Sequence, residues 1–240
     1  MNGAGVSLEI AGAALTLLPG RALWWAAERL LVASDLHLGK SERIARRGGA
    51  LVPPYESADT LGRLAALVRA HAPAHVVCLG DSFDDLRAAE ALGPADRDEL
   101  AGLMAGRRWT WVQGNHDPGP TALGGTCAPE LRLGGIALRH AAEPGEAGPE
   151  ISGHYHPKAG PHGVRRPAFV TDGRRLILPA FGTYTGGLDA ADPAIARLMG
   201  PGARAILTGP TQAALPLSAC RRTAGGPPRR AVRGAARGPA

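Results

Sequence analysis

Lysine is nearly missing from this chain: Lys40 and Lys158 are the two present among 27 basic residues. Cysteine is scarce too, and Cys78, Cys127 and Cys220 are odd in number and share no spacing. That argues against a disulfide framework and against a cysteine-ligated zinc site. No apolar run reaches the roughly 18 residues of a membrane-crossing helix. The first residues lack a basic start, a clean apolar stretch and a small-residue cleavage site. The expectation is a cytoplasmic protein with no membrane partner. Acid is missing from the C-terminal end, where no Asp or Glu follows Asp192. Segment 219–240 carries six arginines, and without it the formal charge of +6 falls to zero. With almost no large apolar residue it reads as a disordered Arg-rich tail behind a domain at 1–218. Such a tail can hold nucleic-acid phosphates, or simply solubilise the chain.

What is present is enough for one domain with a real core: 240 residues, 45% of them apolar. SLEIAGAALTLLPGRALWWAAERLLVASD reads as short strands with a turn at Pro19-Gly20. Residues 57–70 carry apolar positions at helical spacing, with Ser57 as N-cap and Pro73 beyond the end. HVVCLGD reads as a buried strand, and 84–105 as helix broken near Gly93-Pro94. RWTWVQGNHD is a further strand, followed by a Gly/Pro-rich loop. LRLGGIALRHA and AFVTDGRRLILPAFG read as hairpins, and RAILTGP as a late strand. Strands alternating with helices early, and hairpins late, predict a layered α/β domain with a mixed sheet, or two sheets packed together with helices outside.

The same ending recurs after these apolar runs. LLVAS leads into Asp35 and His37, VVCLG into Asp81, and WTWVQG into Asn115, His116 and Asp117. IALR leads into His140, and EISG into His154 and His156. A lone histidine after a strand is usually solvated or satisfied, but five of the eight histidines lie in these clusters. Residues two apart on an extended segment face one side, so Asp35 with His37, and His154 with His156, can meet one point. Oxygen and imidazole donors together suit manganese, iron or zinc better than calcium. The ligands are too many for one ion, and two divalent ions call for a bridging carboxylate. Gly80, Gly114 and Gly153 each precede a cluster, as a sharp turn with close backbone approach would require.

In that order the motifs Asp35-x-His37, Gly80-Asp81-x-x-Asp84, Gly114-Asn115-His116-Asp117, His140 and Gly153-His154-x-His156 resemble the calcineurin-like metallophosphoesterases. DLHLGK with the Arg-Arg-Gly segment after it, the Trp-containing N-terminal hairpin and LPAFGTYTGGL resemble, more narrowly, the bacterial ligase-associated DNA damage response endonucleases. The resemblance implies a four-layer α/β sandwich of two mixed β-sheets flanked by helices. It implies one ion held by Asp35, His37, Asp81 and His156, and a second by Asp81, Asn115, His140 and His154. Manganese is the first choice for both, with iron or zinc as alternatives. Asp81 bridges, and the two histidines of the HYH stretch serve different ions.

His116 is then the candidate to protonate the leaving oxygen, its ring oriented by Asp84 or Asp117. Lys40, Arg43, Arg46, Arg47 and Lys158 are candidates to meet substrate phosphates, and Tyr184 to form part of the cleft wall. The chain departs from its relatives at Arg139, where many have glycine, and at Asp84, which matches the superfamily rather than the subfamily histidine. The implied function is hydrolysis of phosphodiesters, as a DNA endonuclease beside a repair ligase and helicase. The alternatives are a phosphoesterase for nucleotides or sugar nucleotides and, third, a non-catalytic scaffold, which would have no need of the full ligand set.

Overall fold

A computed structural model describes residues 5–49, 52–119, 122–145, 148–160 and 165–220. The N-terminal half supplies β1 (Val6–Ile10), β2 (Ala13–Leu17), β3 (Leu23–Trp25), β4 (Leu30–Ala33), α1 (Lys40–Arg46) and α2 (Glu56–His71). It continues through β5 (His75–Leu79), α3 (Leu86–Ala91), α4 (Pro94–Met104), β6 (Arg108–Val112) and β7 (Thr126–Ala128). The C-terminal half supplies β8 (Glu130–Leu133), β9 (Ile136–Arg139), β10 (Glu150–Ser152), β11 (Lys158–Ala159), β12 (Arg166–Thr171) and β13 (Arg175–Ile177). After these come α5 (Pro193–Ala196), β14 (Arg204–Leu207) and β15 (Ala214–Pro216).

Two mixed sheets result. The first runs β1 to β7 in chain order, an antiparallel meander to β4 and parallel from β4 to β7. The second has the order β15-β14-β12-β13-β10-β9-β8, with β9, β10 and β13 parallel and β11 beside β12. Three apolar clusters separate four layers. One holds Leu61, Leu64 and Val68 of α2 and Leu100 and Leu103 of α4 against β4, β5 and β6. The second lies between the sheets, where Val32, Val77 and Val112 meet Leu138, Ile151 and Leu176. The third packs Ile195 of α5 on the outer face of the second sheet. Alternation along β4 and β5 explains this: Leu31 and Val76 face the helices, while Val32 and Val77 face the other sheet. Each such side chain fully withdrawn from water contributes about 1.5–3 kcal/mol.

The four-layer sandwich expected from the resemblance is the fold observed. The sequence-based elements match closely, with a few differences. Ser57 does not cap α2: Tyr55 stands at the cap, and the Ser57 hydroxyl accepts the Gly39 N–H at 2.9 Å. Helix α1 and the short strands β7, β11 and β15 were not read from the sequence. Ala219 and Cys220 close a 3-10 turn over Leu217–Cys220. Residues 221–240, most of the expected tail, lie outside the described residues. Among the described residues, no helix is long and apolar enough to cross a membrane.

Candidate metal centre

Every motif cluster follows the C-terminal end of a strand: β4, β5 and β6 in one sheet, β9 and β10 in the other. Loops at those ends are where open α/β sheets collect ligands. The loops are stitched together by backbone. Asp35 N–H donates to Gly80 O at 3.2 Å and His37 N–H to Asp81 O at 2.9 Å. Phe181 and Gly182 N–H donate to Ser34 O and Asp35 O at 2.8 and 3.0 Å.

The expectation that Asp35 and His37 sit on extended backbone does not hold. Asp35, His37, Asp81, His154 and His156 all have positive φ, from 45° to 68°. That region disfavours residues with a Cβ and is found at sites where the surroundings enforce it. Tight left-handed turns, not strand alternation, bring these side chains together.

They form two sets whose ligand atoms lie within 4.8 Å of one another: Asp35, His37 and His156; and Asp81, His140 and His154. His37 Nε2 faces His156 Nε2 at 3.4 Å, and His154 Nδ1 faces His140 Nε2 at 3.0 Å. Asn115 Oδ1 joins the second set, 3.0 Å from His140 Nε2. His154 and His156, neighbours in sequence, thus stand in different sets. Asp35 Oδ1 lies on the seam, 3.1 Å from His156 Nε2 and 3.9 Å from His140 Nδ1.

The oxygens of each carboxylate are divided between structure and site. Asp35 Oδ2 accepts the Ser34 hydroxyl at 2.5 Å and the His154 N–H at 3.0 Å. Asp35 Oδ1, fully buried, is left to the imidazole of His156. A buried carboxylate is costly unless something cationic meets it. Asp81 Oδ1 accepts the His116 N–H at 2.9 Å, while Oδ2 turns to His140 Nε2 at 3.4 Å. Burial pushes the Asp81 carboxyl up, yet His140 and the His116 N–H outweigh it and hold it at about 2. Burial would lower His140, but Asp81 and Asp35 carry it up to about 9.

The histidine tautomers follow from their outer partners. His140 Nδ1 lies 3.0 Å from Leu79 O, and His37 Nδ1 2.7 Å from Asp84 Oδ1. Each acceptor requires N–H at Nδ1, so Nε2 is the ring nitrogen turned inward, and it ligates once its proton has left. Convergent ring nitrogens beside buried carboxylate oxygens fit divalent cations.

A match to a family model for calcineurin-like phosphoesterases covers residues 28–166, which span both sets of donors. The chain belongs to the calcineurin-like phosphoesterases. It is therefore a metal-dependent hydrolase of phosphoester bonds. Among solved structures, a nuclease of Pseudomonas putida, MPE, is 30% identical with a TM-score of 0.68, covering 85% of this chain and 97% of that one. No curated protein matches.

Three roles expected in this phosphoesterase differ in the structure. Neither carboxylate orients His116, whose Nδ1 instead reaches the backbone oxygen of Asp84 at 2.8 Å. The Asp84 carboxylate binds His37, Lys40 Nζ at 3.1 Å and Arg43 at 2.7 Å. Burial would raise this carboxyl, and those three partners hold it well below the usual range. Asp117 accepts the N–H groups of Asp81, Ser82, Phe83 and Gly114, so it clamps the Asp81 turn. Burial and the nearby Asp81 charge push it up to about 6. The reason is reach: an i+1 neighbour of His116 curls back to the turn donors that need it.

The expected phosphate-binding cations are mostly engaged elsewhere. Lys40 and Arg43 pair with Asp84, Arg46 pairs with Glu42 and Asp85, and Lys158 Nζ donates to Thr185 O at 3.1 Å. Arg47 is exposed. Tyr184 Oη donates to Pro53 O at 3.1 Å. Arg139 points away from the site, paired with Glu130 and Glu143 at 2.9 and 2.8 Å, so the departure from glycine is absorbed behind His140. Ser34, which fixes Asp35, carried no signal in the sequence.

The motif glycines are close-approach residues. A Cβ at Gly153 would meet Ser34 Oγ at 1.7 Å and Asp35 Oδ2 at 2.5 Å, and one at Gly80 would meet the His140 ring at 2.5 Å. Gly153→Ala is expected to cost about 1–3 kcal/mol by overpacking and to displace Asp35. Thermal melting and metal titration should show both effects; an unshifted melting temperature with unchanged metal uptake would contradict the reading.

Proposed function

We propose that this phosphoesterase cleaves phosphodiester bonds in DNA as a manganese-dependent nuclease, working beside a ligase and helicase in repair. The single observation that carries the phosphodiesterase reading is the two donor sets that meet at the buried Asp35 Oδ1. The likeness to a nuclease supports a nucleic acid as the substrate class. In this reading Asp35, His37, Asp81 and His156 hold one ion, and Asp81, Asn115, His140 and His154 the other. Two such ions supply Lewis acidity toward a phosphate oxygen and a water acidic enough to act as nucleophile at neutral pH.

The chain's own residues do the rest. His116 Nδ1 donates to Asp84 O, so its ring presents Nε2 to the site, 3.9 Å from Asp81 Oδ2. With a proton on Nε2 the ring can deliver it to the departing oxygen. Asp84, held ionised by Lys40 and Arg43, keeps His37 in the tautomer that ligates.

A second reading, hydrolysis of a small nucleotide ester, draws on the same ion pairs: cations paired with Asp84 are less available to a DNA backbone. Purified protein, chelated and then given manganese, should be tested on single-stranded DNA, duplex DNA and bis-p-nitrophenyl phosphate. Chelation is expected to silence it and manganese to restore DNA cleavage. Turnover of the small ester with DNA left intact would select the second reading, and activity surviving chelation would defeat both.

A further inference from the structure

Among the described residues Tyr55 is the most exposed of the large hydrophobic side chains, at 54%. It does not stand alone. Its ring lies edge-on to that of Tyr184, centroids 5.6 Å apart and planes at 61°. Two of the three tyrosines in the chain are thus paired at one surface. The Tyr184 hydroxyl, bonded to Pro53 O, anchors that ring to the segment that bears Tyr55.

Both segments are pinned to the metal centre. On the Tyr184 side, Gly182 N–H donates to Asp35 O, and a Cβ at Gly182 would sit 2.3 Å from Leu36 O. The loop is pressed directly onto the backbone of the Asp35 turn. On the Tyr55 side, the next residue, Glu56, accepts the N–H and hydroxyl of Ser41 at 2.9 and 2.7 Å. Ser57 takes the Gly39 N–H. Lys40, between those two anchors, reaches Asp84, the partner of His37. The tyrosine pair therefore forms the outer end of the wall beside the His37 set, held in place from both sides.

An exposed ring that the core does not use, kept in a fixed orientation, offers its face to a flat partner. Phosphate has no apolar face and the small, puckered deoxyribose ring offers little flat surface, whereas a nucleobase has a full π-face. We propose that Tyr55 and Tyr184 form a stacking platform for an unpaired base flanking the scissile phosphate. The platform rests on the DNA-cleaving reading and adds to it a contact to the base, with no hydrogen-bond readout and hence little sequence preference.

The test compares an oligothymidylate with the same backbone carrying tetrahydrofuran abasic sites, with manganese present. For the wild type kcat/KM is expected to be about 10-fold higher on the base-bearing strand, chiefly through KM. Tyr55→Ala should bring that ratio close to one, Tyr184→Leu should lower it, and Tyr55→Phe, which keeps the ring, should preserve it. A wild-type ratio near one, or a Tyr55→Ala loss equal on both strands, overturns the platform while leaving the nuclease reading in place. Hydrolysis of bis-p-nitrophenyl phosphate with neither strand cut would defeat the nuclease reading, and the platform with it.

Discussion

Asp81→Asn is expected to strip at least one ion from the site and remove most of the activity. The substitution keeps size and one carbonyl oxygen, so the His116 N–H, now 2.9 Å from Oδ1, keeps an acceptor. What disappears is a negative charge 3.4 Å from His140 Nε2, in the set that also contains His154. At an effective dielectric near 20, a unit charge pair about 4 Å apart is worth roughly 4 kcal/mol. That corresponds to about a thousandfold in affinity, and more for a divalent ion. The turn itself should persist, because Asp117 holds the N–H groups of residues 81 to 83. Elemental analysis of the purified variant, beside circular dichroism and the hydrolysis assay, separates metal loss from unfolding. A folded variant with a full metal complement and wild-type turnover would remove Asp81 from the ligand set.

The site was legible because its donors end apolar runs, and those runs had to be strands. Asp35, Asp81, His140 and His154 each follow a stretch that is buried almost throughout: β4, β5, β9 and β10. The residues alone left one mixed sheet or two packed sheets open, and the motif resemblance decided for four layers, since periodicity gives strands and helices but not which sheet each joins. What stayed hidden shares one physical trait. Asp84 meets His37, Lys40 and Arg43 across 41 to 47 residues of chain. No spacing rule links groups so distant, so Lys40 and Arg43 read as free cations. Helix α1, KSERIAR, offers too little apolar periodicity to be seen, and Asp84 and Glu56 fasten it from outside. The φ values of the ligand turns are likewise imposed by tertiary backbone bonds such as His37 N–H to Asp81 O.

His116→Ala is expected to behave differently: both ions stay and turnover falls. His116 belongs to neither of the sets that pair Asp35 with His156 or Asp81 with His154. Its ring is tied to the protein by one bond, from Nδ1 to Asp84 O, and Nε2 is left facing the site. Its N–H, which supports Asp81 Oδ1, is backbone and survives the substitution. Losing a positioned general acid costs roughly 10²–10⁴-fold in kcat. The size of the loss should depend on the leaving group. An alkoxide departing from a DNA strand is a strong base and needs the proton, whereas p-nitrophenolate leaves readily without one. The variant should therefore lose far more on DNA than on bis-p-nitrophenyl phosphate, with metal content equal to wild type. Equal losses on both substrates would make His116 a binder of the phosphoryl oxygens rather than a proton donor. Loss of metal would place the ring among the ligands, beside His37 in the third group of close donors that it forms with Asp84.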